Sequence, residues 1–372
     1  MVALGTTKSQ DLELGALTYS GPVSELASNL EQAVRRHRVV GAVAGVSSRG
    51  DRAVAPAGLA DVGTRQELTP DTVLRAASLT KTMVAAAVVL ATRDDAGALD
   101  RPLLEWLPST VRSRWRASPG LTLRQVLSHT SGLRDLDPVV LRDLGDGDDA
   151  LPAAAAVVGA RGQAFRPGSA WQYCNSGYWV AGAVLSAMRG RPFEDALREV
   201  VLDPAGMEHT GFVLPADSAR GHRDGAVVVA EYQRARRPSG GVCTTAADVL
   251  SFGEFLLADR DLLERLATPV AWSLYGARYG LGLNLAGGMV FHDGNLDGYK
   301  ARLLLAPAHG YAAVFLSNDA GADPAIDDVL GPELARATGV DLPWRRPSRR
   351  PVTAYAVVRL AVARVTAIVG RG

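Results

Sequence analysis

Lysine is nearly absent from this chain. Of 40 lysines and arginines in 372 residues, only Lys8, Lys81 and Lys300 are lysine. Cysteine is scarcer still: Cys174 and Cys243 build no disulfide framework, and a reducing, cytoplasmic setting is the simplest reading. An excess of one charge is also missing. A net charge of +1 projects no field toward nucleic acid or an acidic partner. No apolar run reaches the roughly 18 residues that read as a membrane span. The opening MVALGTTKSQDLELG has no basic segment followed by an apolar one, so no secretory signal is read. There is no internal repeat. The length suits one large domain or two ordinary ones.

Residues 1–21 read as a polar arm. SELASNLEQAVRRHR places Leu26, Leu30, Ala33 and Val34 on one helical face. GAVAGVSS and RAVAPAGLAD read as two strands around Arg49-Gly50-Asp51, a tight reversal rather than an adhesion motif. From residue 78 to about 270 the pattern is mainly helical. Within it, DLDPVVLRDLGDGDDALP (135–152) reads as a solvated loop near a cleft. It is no calcium loop, because the glutamate at loop position 12 is absent. From 279 onward YGLGLNL, GMVFH, YKARLLLAP and YAAVFLSND read as short strands of an antiparallel meander, and residues 324–339 as a closing helix. The expected fold is α+β: an antiparallel sheet flanked by helices, with an inserted mainly helical subdomain. The sheet subdomain takes 22–75 and 271–342, and the helical subdomain 76–270. Residues 343–372 form a basic linker and an amphipathic segment, TAYAVVRLAVARVTAIVG. A helix packed on the domain or on a second subunit, weak membrane contact through 352–370, or disorder all fit that segment.

The chemistry begins at ASLTKTMVAAAVVL (77–90), where Lys81 follows Ser78 by three residues at the start of an apolar helix. Residues three apart share a helix face. The helix N-terminus favours a serine alkoxide and disfavours a protonated lysine. Burial lowers a lysine pKa further, so the pair makes a nucleophile with its own base. The plainer reading is a capping serine and a solvated lysine; the rarity of lysine here speaks against it. Tyr173-Cys174-Asn175 sets a phenol and an amide two apart before an apolar helix. In extended backbone both face one side; the plainer reading is a buried tyrosine and a capping asparagine. His292-Asp293-Gly294 reads as the end or interruption of a strand, with a glycine that admits a ligand to the backbone. Taken alone, His292 is more simply a structural histidine. His129 reads as a structural hydrogen-bonding residue, and Cys174 as a spacer rather than a nucleophile.

These three motifs, in this order, resemble the serine β-lactamase and penicillin-binding-protein family, in its class C and esterase branch. Ser78-Leu79-Thr80-Lys81 is similar to S-x-x-K, Tyr173-Cys174-Asn175 to Y-x-N, and His292-Asp293-Gly294 to the H-x-G found where penicillin-recognising members carry K-T-G. LSHTSGL (127–133), PAGMEHTGF (204–212) and SGGVCTTAADVLSF (239–252) are similar as well, and the resemblance spans about residues 22–340. It implies Ser78 as nucleophile, Lys81 and Tyr173 as the acid–base pair, and Asn175 positioning substrate and Lys81. It implies an oxyanion hole from the N–H groups of Ser78 and of Asn295, the residue after Gly294, with His292 supporting Tyr173 or the substrate. No metal or organic cofactor is implied. His292 and Asp293 lack the cation and hydroxyl that grip a penicillin carboxylate, which favours neutral esters, thioesters or amides; Lys300 could restore a cation nearby. The expected activity is cleavage of a small ester or amide through an acyl-enzyme. An acyltransferase or thioesterase-like cyclase shares the first half-reaction, and a non-catalytic binder would keep only the fold.

Overall fold

The computed structural model describes residues 21–344 except 230, 231, 274 and 275. The N-terminal arm, apart from Gly21, and the amphipathic C-terminal segment lie outside the described residues. The chain opens with helix α1 (Gly21–His37), then strands β1 (Gly41–Ser48), β2 (Asp51–Asp61) and β3 (Gln66–Glu67). The central helices that bear on the site are α2 (Leu79–Ala91), α3 (Leu123–Leu127), α4 (Pro138–Asp143), α5 (Ala150–Ala160), α6 (Asn175–Arg189) and α7 (Ala246–Ala258). The chain then returns to strands: β4 (Ala271–Trp272), β5 (Arg278–Tyr279), β6 (Asn284–Ala286), β7 (Met289–Leu296), β8 (Tyr299–Ala306) and β9 (Tyr311–Ser317). Helix α8 (Asp323–Thr338) closes the fold. All nine strands form one antiparallel sheet in the order β3-β2-β1-β9-β8-β7-β6-β5-β4. β1 pairs with β9, with Ala42 opposite Ser317. The two ends of the chain therefore complete one sheet around the helical insertion, as the strand pattern predicts.

Side-chain alternation divides the sheet into two dry faces. On β8, Leu303 and Leu305 enter the core shared with α2, α6 and α7, while Leu304 and Ala306 enter the core under α1 and α8. Because both faces are covered, β9 reads YAAVFLS with every residue buried. Each fully buried Leu or Phe here contributes about 1.5–3 kcal/mol. α1 buries Leu26, Leu30 and Ala33 against the second face. α2 is buried over almost its whole length, which fixes the orientation of its first turn.

Three sequence expectations are corrected. The 135–152 stretch is not a continuous loop. Asp137 caps α4, accepting from Val139 N–H at 2.8 Å, with Pro138 at the first helical position; α5 begins at Ala150. YGLGLNL is not one strand but the two short strands β5 and β6. Gly282 between them takes φ 70°, and a Cβ on Gly280 would lie 2.1 Å from Leu266 O. Finally, β7 does not end at His292-Asp293-Gly294 but runs through them to Leu296, and the chain reverses at Asp297-Gly298. A charge is tolerated mid-strand because Asp293 lies directly opposite Arg302 on β8 and pairs with it at 2.5 Å.

Candidate active site

The Ser78 segment enters α2 through a strained residue. Ala76 N–H is held by Val242 O at 2.9 Å, Ala77 adopts φ 48°, and Ser78 follows as N-cap with helical dihedrals. A left-handed alanine is costly; here it turns the chain sharply so that Ser78 leaves the strand pair Leu74–Arg75 with Cys243–Thr244 and lines the cleft. The turn bonds start at Leu79 N–H, which reaches Ala76 O at 3.2 Å.

Lys81 lies one turn on and is completely buried. Its Nζ donates to Ser78 Oγ at 3.1 Å and to Ser239 O at 2.5 Å, and stands 4.9 Å from the centre of the Tyr173 ring. Burial pulls its pKa from 10.5 down to about 7, against the opposing pull of the Asp135 carboxylate. That depression corresponds to about 5 kcal/mol between the two protonation states, and shifts of this size cluster at functional sites. Ser239 had no role assigned from sequence, since a carbonyl carries no residue signature. Its position is fixed by its side chain, which donates to Arg236 O at 2.9 Å and accepts from Trp179 Nε1–H at 2.9 Å.

Tyr173 and Asn175 both line the same cleft of about 680 Å³, as alternation along an extended segment predicts. Asn175 opens α6 and sends Nδ2–H to Asp135 Oδ2 at 3.3 Å, while the Lys81 hydrogen bonds go to Ser78 and Ser239. Cys174 is buried, and burial followed by the Asp135 charge pushes its thiol pKa far up; an inert spacer is what the geometry gives. His129 packs on Tyr173 with ring centres 4.3 Å apart and accepts Cys174 N–H on Nδ1 at 3.2 Å. Burial, then the charge of Lys81, keeps it neutral, with a pKa well below 6.5.

On the opposite wall, β7 presents His292 and Gly294 toward α2. Burial, then Lys81, lowers the His292 pKa to about 4, so the ring is neutral and Nδ1, 2.8 Å from Asp293 O, carries the proton it donates there. Gly294 makes the approach possible: a Cβ there would lie 2.4 Å from Ala76 O and 2.8 Å from Ala301 Cβ. Asp293 and Asn295 point to the other face of the sheet, and both line the cleft where β6 stops pairing at Phe291. Lys300 does not restore a free cation, because its Nζ is tied to Asp323 at 2.6 Å. Arg302 is shared between Asp293 and Asp327, each at 2.5 Å. Among the described residues no group of His, Cys, Asp and Glu side chains has the arrangement of a metal site, and no helix is long and apolar enough to cross a membrane.

Comparison with known proteins identifies the family. A family model described as Beta-lactamase matches residues 26–335. Penicillin-binding protein 4 of Amycolatopsis lactamdurans is 28% identical over 82% of this chain and 88% of its own length. Esterase EstB of Burkholderia gladioli is 33% identical over 56% of each chain, so that match spans about half of the esterase. Among solved structures, SurE superposes with a TM-score of 0.72 at 27% identity, covering 88% of this chain and 78% of SurE. The chain belongs to the beta-lactamase family and is a serine hydrolase of it.

Proposed function

We propose that the protein cleaves a small neutral ester or amide through an acyl-enzyme on Ser78. One observation carries this reading: the buried amine of Lys81, with a pKa near 7, lies 3.1 Å from Ser78 Oγ. Neutral Lys81 takes the hydroxyl proton as Oγ attacks the substrate carbonyl carbon. The carbonyl oxygen becomes an oxyanion, met by the N–H groups of Ser78 and Asn295. Ladder geometry supports the second donor. Leu296 and Tyr299 close the two-residue turn, so alternation along β7 turns Asn295 N–H away from β8, toward the margin that β6 leaves open. Fixed donors of this kind are usually a large catalytic contribution. As the carbon–heteroatom bond breaks, the proton passes from Lys81 through the Tyr173 hydroxyl to the leaving group. Water then enters and gives a proton through Tyr173 to Lys81 as its oxygen bonds the acyl carbon; the Ser78 Oγ–carbon bond breaks, Oγ takes the proton back from Lys81, and the acid leaves.

The substrate class follows from the charges on the cleft wall. Lys300 is matched by Asp323, and Arg302 by Asp293 and Asp327, so an anionic substrate meets carboxylates where penicillin-recognising sites offer a cation. Short p-nitrophenyl esters should therefore turn over with kcat/KM at least about tenfold above nitrocefin, the factor that ~1.4 kcal/mol of unfavourable charge supplies. Steady-state kinetics on both substrates check this. Faster nitrocefin hydrolysis would overturn the neutral-substrate reading.

A further inference from the structure

Helix α6 starts without a cap of its own: Cys174, at the N-cap position, makes no side-chain capping bond. The missing acceptor comes from about forty residues upstream. Asp135 Oδ1 accepts Ser176 N–H at 2.7 Å and Ser176 Oγ–H at 3.0 Å, and Oδ2 accepts from Asn175 Nδ2 at 3.3 Å. The Cys174 thiol is directed to Leu133 O at 3.3 Å and to Asp135 Oδ1 at 3.5 Å.

Six residues before Asp135, His129 adopts φ 62°, a strained setting for a residue with a side chain. That turn aims two groups of one residue at the same segment. The His129 carbonyl accepts Gln172 N–H at 2.9 Å, and its Nδ1 accepts Cys174 N–H at 3.2 Å. The N–H groups of residues 172, 174 and 176 are thus all held by 129–135, and Tyr173 lies in the middle of that grip with His129 stacked on its ring.

We propose that Asp135 is a positioning residue for the reaction: together with His129 it holds the Gln172–Ser176 segment so that the Tyr173 hydroxyl stays in register with Lys81 and the leaving group. The inference rests on the role of Tyr173 given above. A displacement of about 1 Å in such a group costs on the order of 10²-fold in rate, whereas a cap that only stabilised α6 would leave kcat unchanged in protein that remains folded.

The test is a double-mutant cycle with a p-nitrophenyl ester, reading kcat and KM separately beside the thermal transition. Asp135→Ala should lower kcat by about 10- to 100-fold with KM little changed. Asp135→Asn keeps an oxygen for Ser176 but sets one amide against another at Asn175, and should fall between the two. In a Tyr173→Phe background, Asp135→Ala should cost less than about threefold more, because the group it places is gone. If Asp135→Ala does not fold, the same comparison with Asp135→Asn decides. Wild-type kcat in the folded Asp135 variants, or an equal loss in both backgrounds, overturns the inference. A Tyr173→Phe protein with unchanged kcat would remove the role of Tyr173 and the clamp with it. A fall for Tyr173→Phe with none for Asp135 removes the clamp alone.

Discussion

Exchanging Lys81 for arginine is expected to lower kcat/KM by about 10²–10⁴-fold, the usual loss when a general base is removed. Arginine keeps the positive charge and the donors, but its guanidinium does not deprotonate in a protein. Arginine also adds bulk at a fully buried position. Lys81→Ala and Lys81→Met separate the two effects. All three should fall alike in protein that remains folded. If the amine acted only as a fixed cation, arginine would rescue much of what alanine loses. The pH profile carries the same claim with a definite sign. Lys81 must be neutral to accept the Ser78 proton, so kcat/KM should be flat well above pH 7. It should drop about tenfold per pH unit below it, following the amine's pKa of about 7. The neutral histidines do not supply that limb: His292 titrates near 4, and His129 lies well below 6.5. An acid limb near pH 4, or none, would move the base role away from Lys81.

Gly294→Ala is the second large loss, on the order of 10²–10³-fold in kcat, comparable to removal of an oxyanion donor. The added methyl would sit 2.4 Å from a backbone oxygen and 2.8 Å from the Ala301 methyl, neither the end of a flexible side chain. Strand β7 must then move away from the Ala76–Ser78 segment, taking Asn295 N–H with it. KM for a small ester should change less than kcat, since the oxyanion forms only in the transition state. A folded Gly294→Ala protein with wild-type kcat would show that Asn295 N–H is not a donor in the reaction.

Much of this was legible in residue types. Ser78 and Lys81, three apart at the head of an apolar run, share one turn because an apolar run of that length forms a buried helix. The glycine-punctuated runs after 279 form the meander because strand alternation and turn residues act locally. Tyr173 and Asn175 reach one cleft for the same local reason. What stayed hidden depends on chain segments far apart in sequence. The left-handed turn at Ala77 follows the pairing of 74–75 with 243–244, and an alanine announces no such turn. The second acceptor for Lys81 is a main-chain oxygen 158 residues away. Asp135 looked like one acid of a solvated stretch, and only the packing of 129–135 on 172–176 turns it inward. Lys300 reads as a cation near the third motif, and only the packing of α8 shows that Asp323 pairs with it. The extent of β7 is not legible in sequence because a charged residue within a strand signals an end, and only the ladder shows that its partner is Arg302.

The central claim is that Ser78 is the nucleophile, and covalent capture tests it most directly. A fluorophosphonate should add one label per chain, measured by intact mass. Peptide mapping should place the label on Ser78, and esterase activity should disappear in proportion to labelling. The folded Ser78→Ala protein should neither take up the label nor turn over the ester above background. A label mapped to another residue, or ester turnover retained by Ser78→Ala, would contradict the account.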